Sequence, residues 1–136
     1  LKAQKQIGQS QIVERLKELK KAFQNQKFQK IGLPVSNGIF FVPFDDIIMM
    51  EADRMYAKVF TIEHGELLVS KPLKFLIEAL RDVPEFYRPH RSFLINMSHI
   101  QQYVNEDGGY IVMNQDLHVA LSKDKKEEFL SLVQNR

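Results

Sequence analysis

The chain has 136 residues, of which 44% are hydrophobic and 26% charged, which suits one packed domain with an appendage and excludes a disordered chain. No apolar run approaches the roughly 20 residues of a membrane span, and no apolar block follows the polar N-terminus. The absence of cysteine excludes disulfides and thiolate chemistry. We therefore expect a soluble, cytoplasmic protein without membrane contact, and part of a longer one because the chain begins at Leu1 rather than Met.

The net charge of +2 conceals an asymmetry along the chain. Residues 1–30 hold eight of the 19 basic residues and two of the 17 acidic ones, which leaves 11 basic against 15 acidic residues in the remainder. An acidic remainder argues against a purely electrostatic hold on a polyanion. Such a role would depend on where the basic residues cluster.

An N-terminal helix is predicted over residues 9–27, with Ser10 as its cap. Its apolar stripe follows steps of four, three and four residues and consists of Ile12, Leu16, Leu19 and Phe23. The stripe covers only about two heptads, which is short for an independent coiled coil. Two interpretations stay open: the helix packs on its own domain, or it is a linker that pairs weakly with a second copy.

From residue 28 onward the pattern predicts short strands separated by turns rich in Gly, Pro, Asn and Asp. The predicted strands are 28–33, 39–42, 47–51, 56–62, 67–70, 93–96, 100–104, 110–113 and 117–121, and a loop is predicted between Phe86 and Phe93. One helix follows Pro72 and presents Leu73, Leu76, Ile77 and Leu80 on one face. A closing helix follows Ser122 and turns Phe129, Leu130 and Val133 inward. The prediction is a mainly β fold of antiparallel strands in small sheets, with two short helices after the N-terminal one.

Catalytic and metal-binding chemistry finds little support in the residue pattern. Asp45 and Asp46 are neighbours, and neighbours on an extended strand point to opposite sides. The four histidines are His64, His90, His99 and His118, and their spacing does not match a metal site. We therefore expect no enzymatic activity, no cofactor, no metal and no small-molecule substrate.

The segment 85–96 concentrates basic and hydrogen-bonding side chains. It contains Arg88, His90, Arg91, Ser92 and Asn96. Arg and Asn pair bidentately with guanine and adenine edges, while Ser and His donate readily to phosphate oxygens. On the residues alone the segment is either a nucleic-acid contact or a solvated surface.

The run Phe86-x-Arg88-x-His90-Arg91-Ser92-Phe93-Leu94-Ile95-Asn96 resembles the signature of the LytTR family of DNA-binding domains. Further similarities follow in order: Asp46–Ala52 with Tyr56 and Val59, Ser70–Leu80, Ile100, and Leu121-Ser122-Lys123. The resemblance covers about Ile31 to Val133. It implies an elongated fold of small antiparallel sheets that reads double-stranded DNA from loops, at direct repeats near promoters. It also implies the output half of a two-component response regulator, with a linker helix at 1–27 joined to a missing receiver and a DNA-binding domain at 28–136.

Carried over by position, the resemblance makes Arg91 the leading base-reading residue, with a phosphate contact as the alternative. The other predicted DNA-binding residues are His90, Arg88, Ser92, Asn96, Arg54, Lys58, Lys71 and Lys123. Two positions depart from the family pattern: Lys123 replaces an Arg and suits a phosphate better than a guanine, and Ala57 stands where some members carry a polar contact.

Structural roles compete with DNA contacts at several of these positions. His90 either orders the loop or contacts phosphate, and Arg88 either contacts phosphate or pairs with an acidic neighbour, Glu85 or Asp82. For Asn96, at the end of a strand, the structural role is preferred. Lys71 is at the start of a helix, where a solvated position is favoured over a phosphate contact.

Two hypotheses of function follow. The first is a transcription regulator that binds DNA as a homodimer while associating weakly in solution. The second is a β-rich protein-interaction module that has lost DNA binding, and the acidic balance beyond residue 30 favours it.

Overall fold

The computed structural model describes residues 2–24 and 29–134, with side chains described over 9–22 and 29–134. The helices are α1 (Lys2–Gln24), α2 (Leu73–Ala79) and α3 (Lys123–Gln134). The strands are β1 (Lys30–Val35), β2 (Gly38–Pro43), β3 (Ile47–Asp53), β4 (Tyr56–Thr61), β5 (Glu66–Val69), β6 (Phe86–His90), β7 (Phe93–Asn96), β8 (Ile100–Val104), β9 (Tyr110–Met113) and β10 (Leu117–Ala120). Single turns of 3-10 helix occupy Phe44–Asp46, Met97–His99 and Asn114–Asp116.

The strands form three small sheets, and every pairing is antiparallel over the residues described. A five-stranded sheet has the order β5-β4-β3-β7-β6, β1 and β2 form a second sheet, and the third sheet has the order β10-β9-β8. The mainly β fold with small antiparallel sheets and three helices is thus confirmed. No helix in the described ranges has the length and apolarity to cross a membrane.

The central strand β3 is buried on both faces. Its first four residues, Ile47 to Met50, are all buried, and a bulge between Ile47 and Met49 redistributes them between two cores. Ile47 and Met50 face α2 and the β1–β2 pair, whereas Ile48 and Met49 face the β8–β10 sheet and α3. A strand covered on both sides reads as a continuous apolar run, which is the pattern of this segment.

Local periodicity predicted several elements well. Along β4, Ala57, Val59 and Thr61 are buried as the alternation requires. On α2, Leu73 and Leu76 are buried, and so is Leu80, which directly follows the last helical residue, Ala79. In α3, Phe129 is buried and Leu130 packs against it, but Val133 is 36% exposed and does not belong to the inward face.

The predicted loop after Phe86 is wrong, because Phe86–His90 forms strand β6. This strand pairs with β7 through Phe86↔Asn96, Tyr87↔Ile95 and His90↔Phe93, and its register shifts around Pro89. Proline cannot donate to a ladder and is tolerated on an edge strand, and β6 is the last strand of its sheet. The turn is therefore confined to Arg91 and Ser92.

The N-terminal helix begins at Lys2, so Ser10 lies inside it and does not cap its start. The side chains of Ile12 and Leu16 are 60% and 59% exposed, so they do not pack against the strands. Leu19 is half-buried, while the side chain of Phe23 and the predicted end of the helix at 25–27 lie outside the described residues.

At one end of the five-stranded sheet the 3-10 turns are joined by side-chain hydrogen bonds. His99 donates from Nε2 to the carbonyl of Asp45 (2.6 Å), and its Nδ1 accepts from Asn114 Nδ2 (2.8 Å). Each of these residues belongs to a different 3-10 turn. This end of the molecule is therefore occupied by internal bonding.

Asn96 belongs to the same network, and its burial and bonding favour the structural role over a DNA contact. The side chain is 1% exposed, and Nδ2 donates to the carbonyls of Ile47 (3.0 Å) and Phe44 (3.3 Å). Its Oδ1 accepts from the backbone N–H of Ser98 (2.9 Å). These bonds tie the end of β7 to the start of β3, the structural role that was preferred from the sequence.

Asn96→Ala is expected to lower the free energy of unfolding by about 1–3 kcal/mol, because it leaves buried backbone groups without partners. Urea unfolding measures the change, with the exposed Asn105→Ala as the matched control. DNA affinity of the folded protein should be unchanged. Lost affinity at undiminished stability would restore Asn96 as a DNA contact.

Candidate nucleic-acid interface

Two hairpin turns and the end of β5 lie together at the other end of the five-stranded sheet. The β3–β4 turn is Arg54-Met55, closed by the pair Asp53↔Tyr56, and the β6–β7 turn is Arg91-Ser92. Lys71 follows β5 at the same end, because Val69 is paired with Ala57 at the start of β4. We call these five residues, Arg54, Met55, Lys71, Arg91 and Ser92, the turn row.

The strand order sets the spacing of the turn row. Five neighbouring strands about 4.8 Å apart give a row about 19 Å long, with the β3–β4 turn next to the β6–β7 turn. That length is about half of one helical turn of duplex DNA. Residues that are 37 positions apart in the sequence, Arg54 and Arg91, are therefore brought to adjacent turns.

The β3–β4 turn contains a residue in a conformation that glycine usually supplies. Arg54 has φ +59°, at the first position of a two-residue hairpin turn. Positive φ there matches the twist of the flanking strands, and a side chain in that region costs roughly 1–2 kcal/mol. Arg54 and Met55 are both exposed, so no buried contact accounts for an arginine at this position.

Hydrogen bonds fix the backbone of the β6–β7 turn. The carbonyl of Ser92 accepts from the N–H of Ala52 (2.8 Å), which ties the turn to β3. The carbonyl of Arg91 accepts from Arg88 Nη2 (2.9 Å), a contact that neither predicted role of Arg88 anticipated. The guanidinium of Arg91 is exposed, and none of the side chains described pairs with it.

His90 orders the turn and still offers a donor. Its Nδ1 accepts from the backbone N–H of Ser92 (3.0 Å), so the neutral ring carries its proton on Nε2. The ring also meets Phe93 edge-on, with centroids 5.8 Å apart. The structural role of His90 is thus observed, and Nε2–H remains for an acceptor.

A cavity of about 550 Å³ lies between the β6–β7 turn and the start of α3. It is lined by Arg88, His90, Arg91, Ser122, Asp124 and Lys125. The N–H of Ser122 donates to the carbonyl of Pro89 (3.0 Å), which holds the helix start against β6. The cationic lining and the positive end of the helix favour an anion here, and Asp124 opposes it.

The other predicted residues lie at different distances from the turn row. Lys58 is half-buried on β4, within the sheet, opposite Glu51 and Leu68. Lys71 is exposed, with Nζ 5.4 Å from the ring centroid of Phe75, a cation–π distance. Lys123 is exposed at the start of α3 but does not line the cavity.

Two residues of this surface were not singled out from the sequence. Lys125 lines the cavity. It lies two residues after Lys123 at the start of a helix, and helical periodicity does not distinguish it from the other lysines there. Met55 is at the tip of the β3–β4 turn and is 72% exposed. A lone methionine in a turn carries no sequence signal for binding.

The family model described as LytTr DNA-binding domain matches residues 37–134. The chain belongs to this family. It is therefore a DNA-binding domain of the LytTR family, which is not a family of enzymes, and the resemblance noted from the sequence is confirmed.

A curated relative and a solved structure agree with this assignment. The chain is 29% identical, over 98% of its length, to the sensory transduction protein LytT of Bacillus anthracis. It spans about half of that relative, 54% of its length. A structure of the LytTr DNA-binding domain of a putative methyl-accepting/DNA response regulator from Bacillus cereus matches with a TM-score of 0.64 at 24% identity, covering 77% of this chain and 96% of that one. The latter likeness confirms the fold.

Proposed function

We propose that this LytTR domain binds duplex DNA sequence-specifically through the turn row and regulates transcription as the output domain of a two-component response regulator. The observation that carries the proposal is the convergence of Arg54, Lys71 and Arg91 on one end of a rigid sheet. The opposite end is closed by internal hydrogen bonds. The name of the relative from Bacillus anthracis, a sensory transduction protein, supports the regulatory role.

Within the turn row we assign base reading to Arg91. A guanidinium donates bidentately to guanine O6 and N7, and Arg91 is held by its backbone while its side chain stays exposed. Arg88 and Ser92 fix the turn, and we assign the Nε2–H of His90 to a phosphate oxygen. Lys71, Lys123 and Lys58 supply charge for the backbone of the duplex.

Arg91→Ala is expected to weaken binding to a selected DNA site by roughly 1–3 kcal/mol and to relax the preference at one base pair. The site is obtained by enriching a random duplex library on the protein. Competition binding against single-base variants of the site measures both effects.

The matched control is Arg81→Ala, because Arg81 is an exposed arginine after α2 whose Nη1 pairs with Glu78 Oε1 (2.6 Å). This control should bind like the parent. If Arg91→Ala binds the selected DNA and the scrambled DNA each with the parent's affinity, Arg91 is removed from the proposal.

Arg54→Gly separates the cost of the turn from its function. Glycine adopts positive φ without strain, so the free energy of unfolding should stay constant or rise by about 1 kcal/mol. DNA affinity should fall, and the slope of log affinity against log salt should decrease by about one, because a phosphate contact is lost.

The control is Arg54→Lys, which keeps both the charge and the strained position. It should retain most of the affinity without gaining stability. A glycine variant that loses stability together with affinity would show that Arg54 supports the turn rather than the DNA.

The second candidate function is a protein-interaction module without DNA binding. It is favoured by the 15 acidic against 11 basic residues beyond residue 30, and by the half-buried Glu51 and Asp53 next to the turn row. Salt separates the two functions. Phosphate contacts require affinity for DNA to fall steeply as salt rises, whereas the second candidate predicts no DNA binding at any salt concentration.

We further propose that residues 1–27 are a linker from a receiver domain and that α1 pairs weakly with a second copy on direct repeats. The exposed Ile12 and Leu16 support this proposal. Burial is worth roughly 1.5–3 kcal/mol for each of the four side chains in the stripe, and association costs a comparable total. Self-association should therefore appear only at high concentration or on neighbouring half-sites.

Deletion of residues 1–27 is expected to reduce cooperative binding to two tandem half-sites, because the pairing surface is lost. Affinity for one half-site and the melting temperature should hardly change. Binding titrations on one and two half-sites, together with thermal unfolding, test this. A clear drop in melting temperature would show instead that α1 is part of the domain.

A further inference from the structure

We infer that Met55 is a specificity residue that reads the 5-methyl group of a thymine in the major groove. This inference rests on the proposed function and adds an apolar contact to its polar ones. It concerns a residue that contributes no charge and no hydrogen bond to duplex DNA.

The exposure of Met55 is the first observation. At 72% it is the most exposed large hydrophobic side chain in the described residues. It adjoins Tyr56, which is 48% exposed, and both lie between the cations Arg54 and Lys71 along the turn row. Two neighbouring exposed apolar side chains framed by cations form a surface suited to a polyanion that carries apolar groups.

The geometry of the turn is the second observation. The pair Asp53↔Tyr56 closes the hairpin after two residues, and the positive φ of Arg54 sets the direction of the tip. The bond from Ala52 N–H to Ser92 O ties this hairpin to the turn that carries Arg91. Met55 is thus held about two strand spacings, roughly 10 Å, from the centre of the Arg91 turn.

The chemistry of the major groove selects the ligand. Thymine is the base that presents a methyl group there, and it is recognised by apolar contact. An unbranched thioether is flexible and polarizable, so it adapts to a small apolar group at the floor of a groove. A base pair rises about 3.4 Å, which places the methyl about three base pairs from the base read by Arg91.

The test removes the methyl from the DNA and the thioether from the protein in turn. The probe is the duplex enriched from a random library by the full chain, in which each thymine is replaced singly by uracil, which lacks only the methyl. Fluorescence anisotropy at one salt concentration gives Kd for the parent, Met55→Ala and Met55→Leu. Ile62→Ala is the matched control, since Ile62 is 45% exposed at the opposite end of β4.

One thymine position is expected to respond. Its replacement by uracil should raise the Kd of the parent about fourfold, which corresponds to about 0.8 kcal/mol for one buried methyl-sized group. Met55→Ala should bind the thymine and uracil duplexes equally, while Met55→Leu and Ile62→Ala should keep the discrimination.

The contrary results are separable. If uracil weakens Met55→Ala as much as the parent, or weakens neither, Met55 does not read a methyl although the proposed function stands. If no duplex is enriched, or if Arg91→Ala binds the enriched duplex like the parent, the proposed function fails as well.

Discussion

Burial of β3 on both faces is the constraint on which the rest of the structure depends. The run Ile47 to Met50 contributes to both cores, so α2 and the β1–β2 pair must pack on one side and the β8–β10 sheet with α3 on the other. The bulge after Ile47 makes this possible, because it turns two successive apolar residues, Ile48 and Met49, to the same core. With its central strand held from both sides, the sheet presents its end turns from a fixed frame.

At the end turns of this sheet, the side chains that order the backbone differ from the side chain that remains free for a ligand. At the β6–β7 turn, Arg88 and the N–H of Ala52 donate to the carbonyls of Arg91 and Ser92, respectively. His90 accepts from the N–H of Ser92. The Arg91 side chain makes none of these bonds and remains exposed. Ordering the turn before binding lowers the conformational entropy that association must lose, which is how a short polar surface attains useful affinity. In the neighbouring β3–β4 hairpin, the positive φ of Arg54 is a strained backbone conformation that likewise leaves an arginine side chain exposed.

The sequence predicted those parts of the molecule that local periodicity determines. The alternation along β4 and the apolar face of α2 needed no knowledge of neighbours, and both are observed. Strand β6 was missed because Pro89 is acceptable only on an edge, and strand order is not a local property. The structural role of Asn96 was anticipated from its place at a strand end, but its partners lie up to 52 residues away. The proximity of Arg54 to Arg91 was expected through the family resemblance alone, and Lys125 and Met55 carried no signal that spacing could separate from ordinary surface residues.

Strand β6 lies at the edge of the five-stranded sheet, where its outer backbone groups could pair with another chain. An exposed edge strand invites a second chain to extend the sheet, and this risk rises with the local concentration of the protein. Here Pro89 removes one donor from the edge, the register shift interrupts its ladder, and Ser122 at the start of α3 takes the carbonyl of Pro89. The β6 edge is thereby protected against pairing with the sheet of a second molecule, so that a concentrated solution of this chain has one fewer route to β-aggregation.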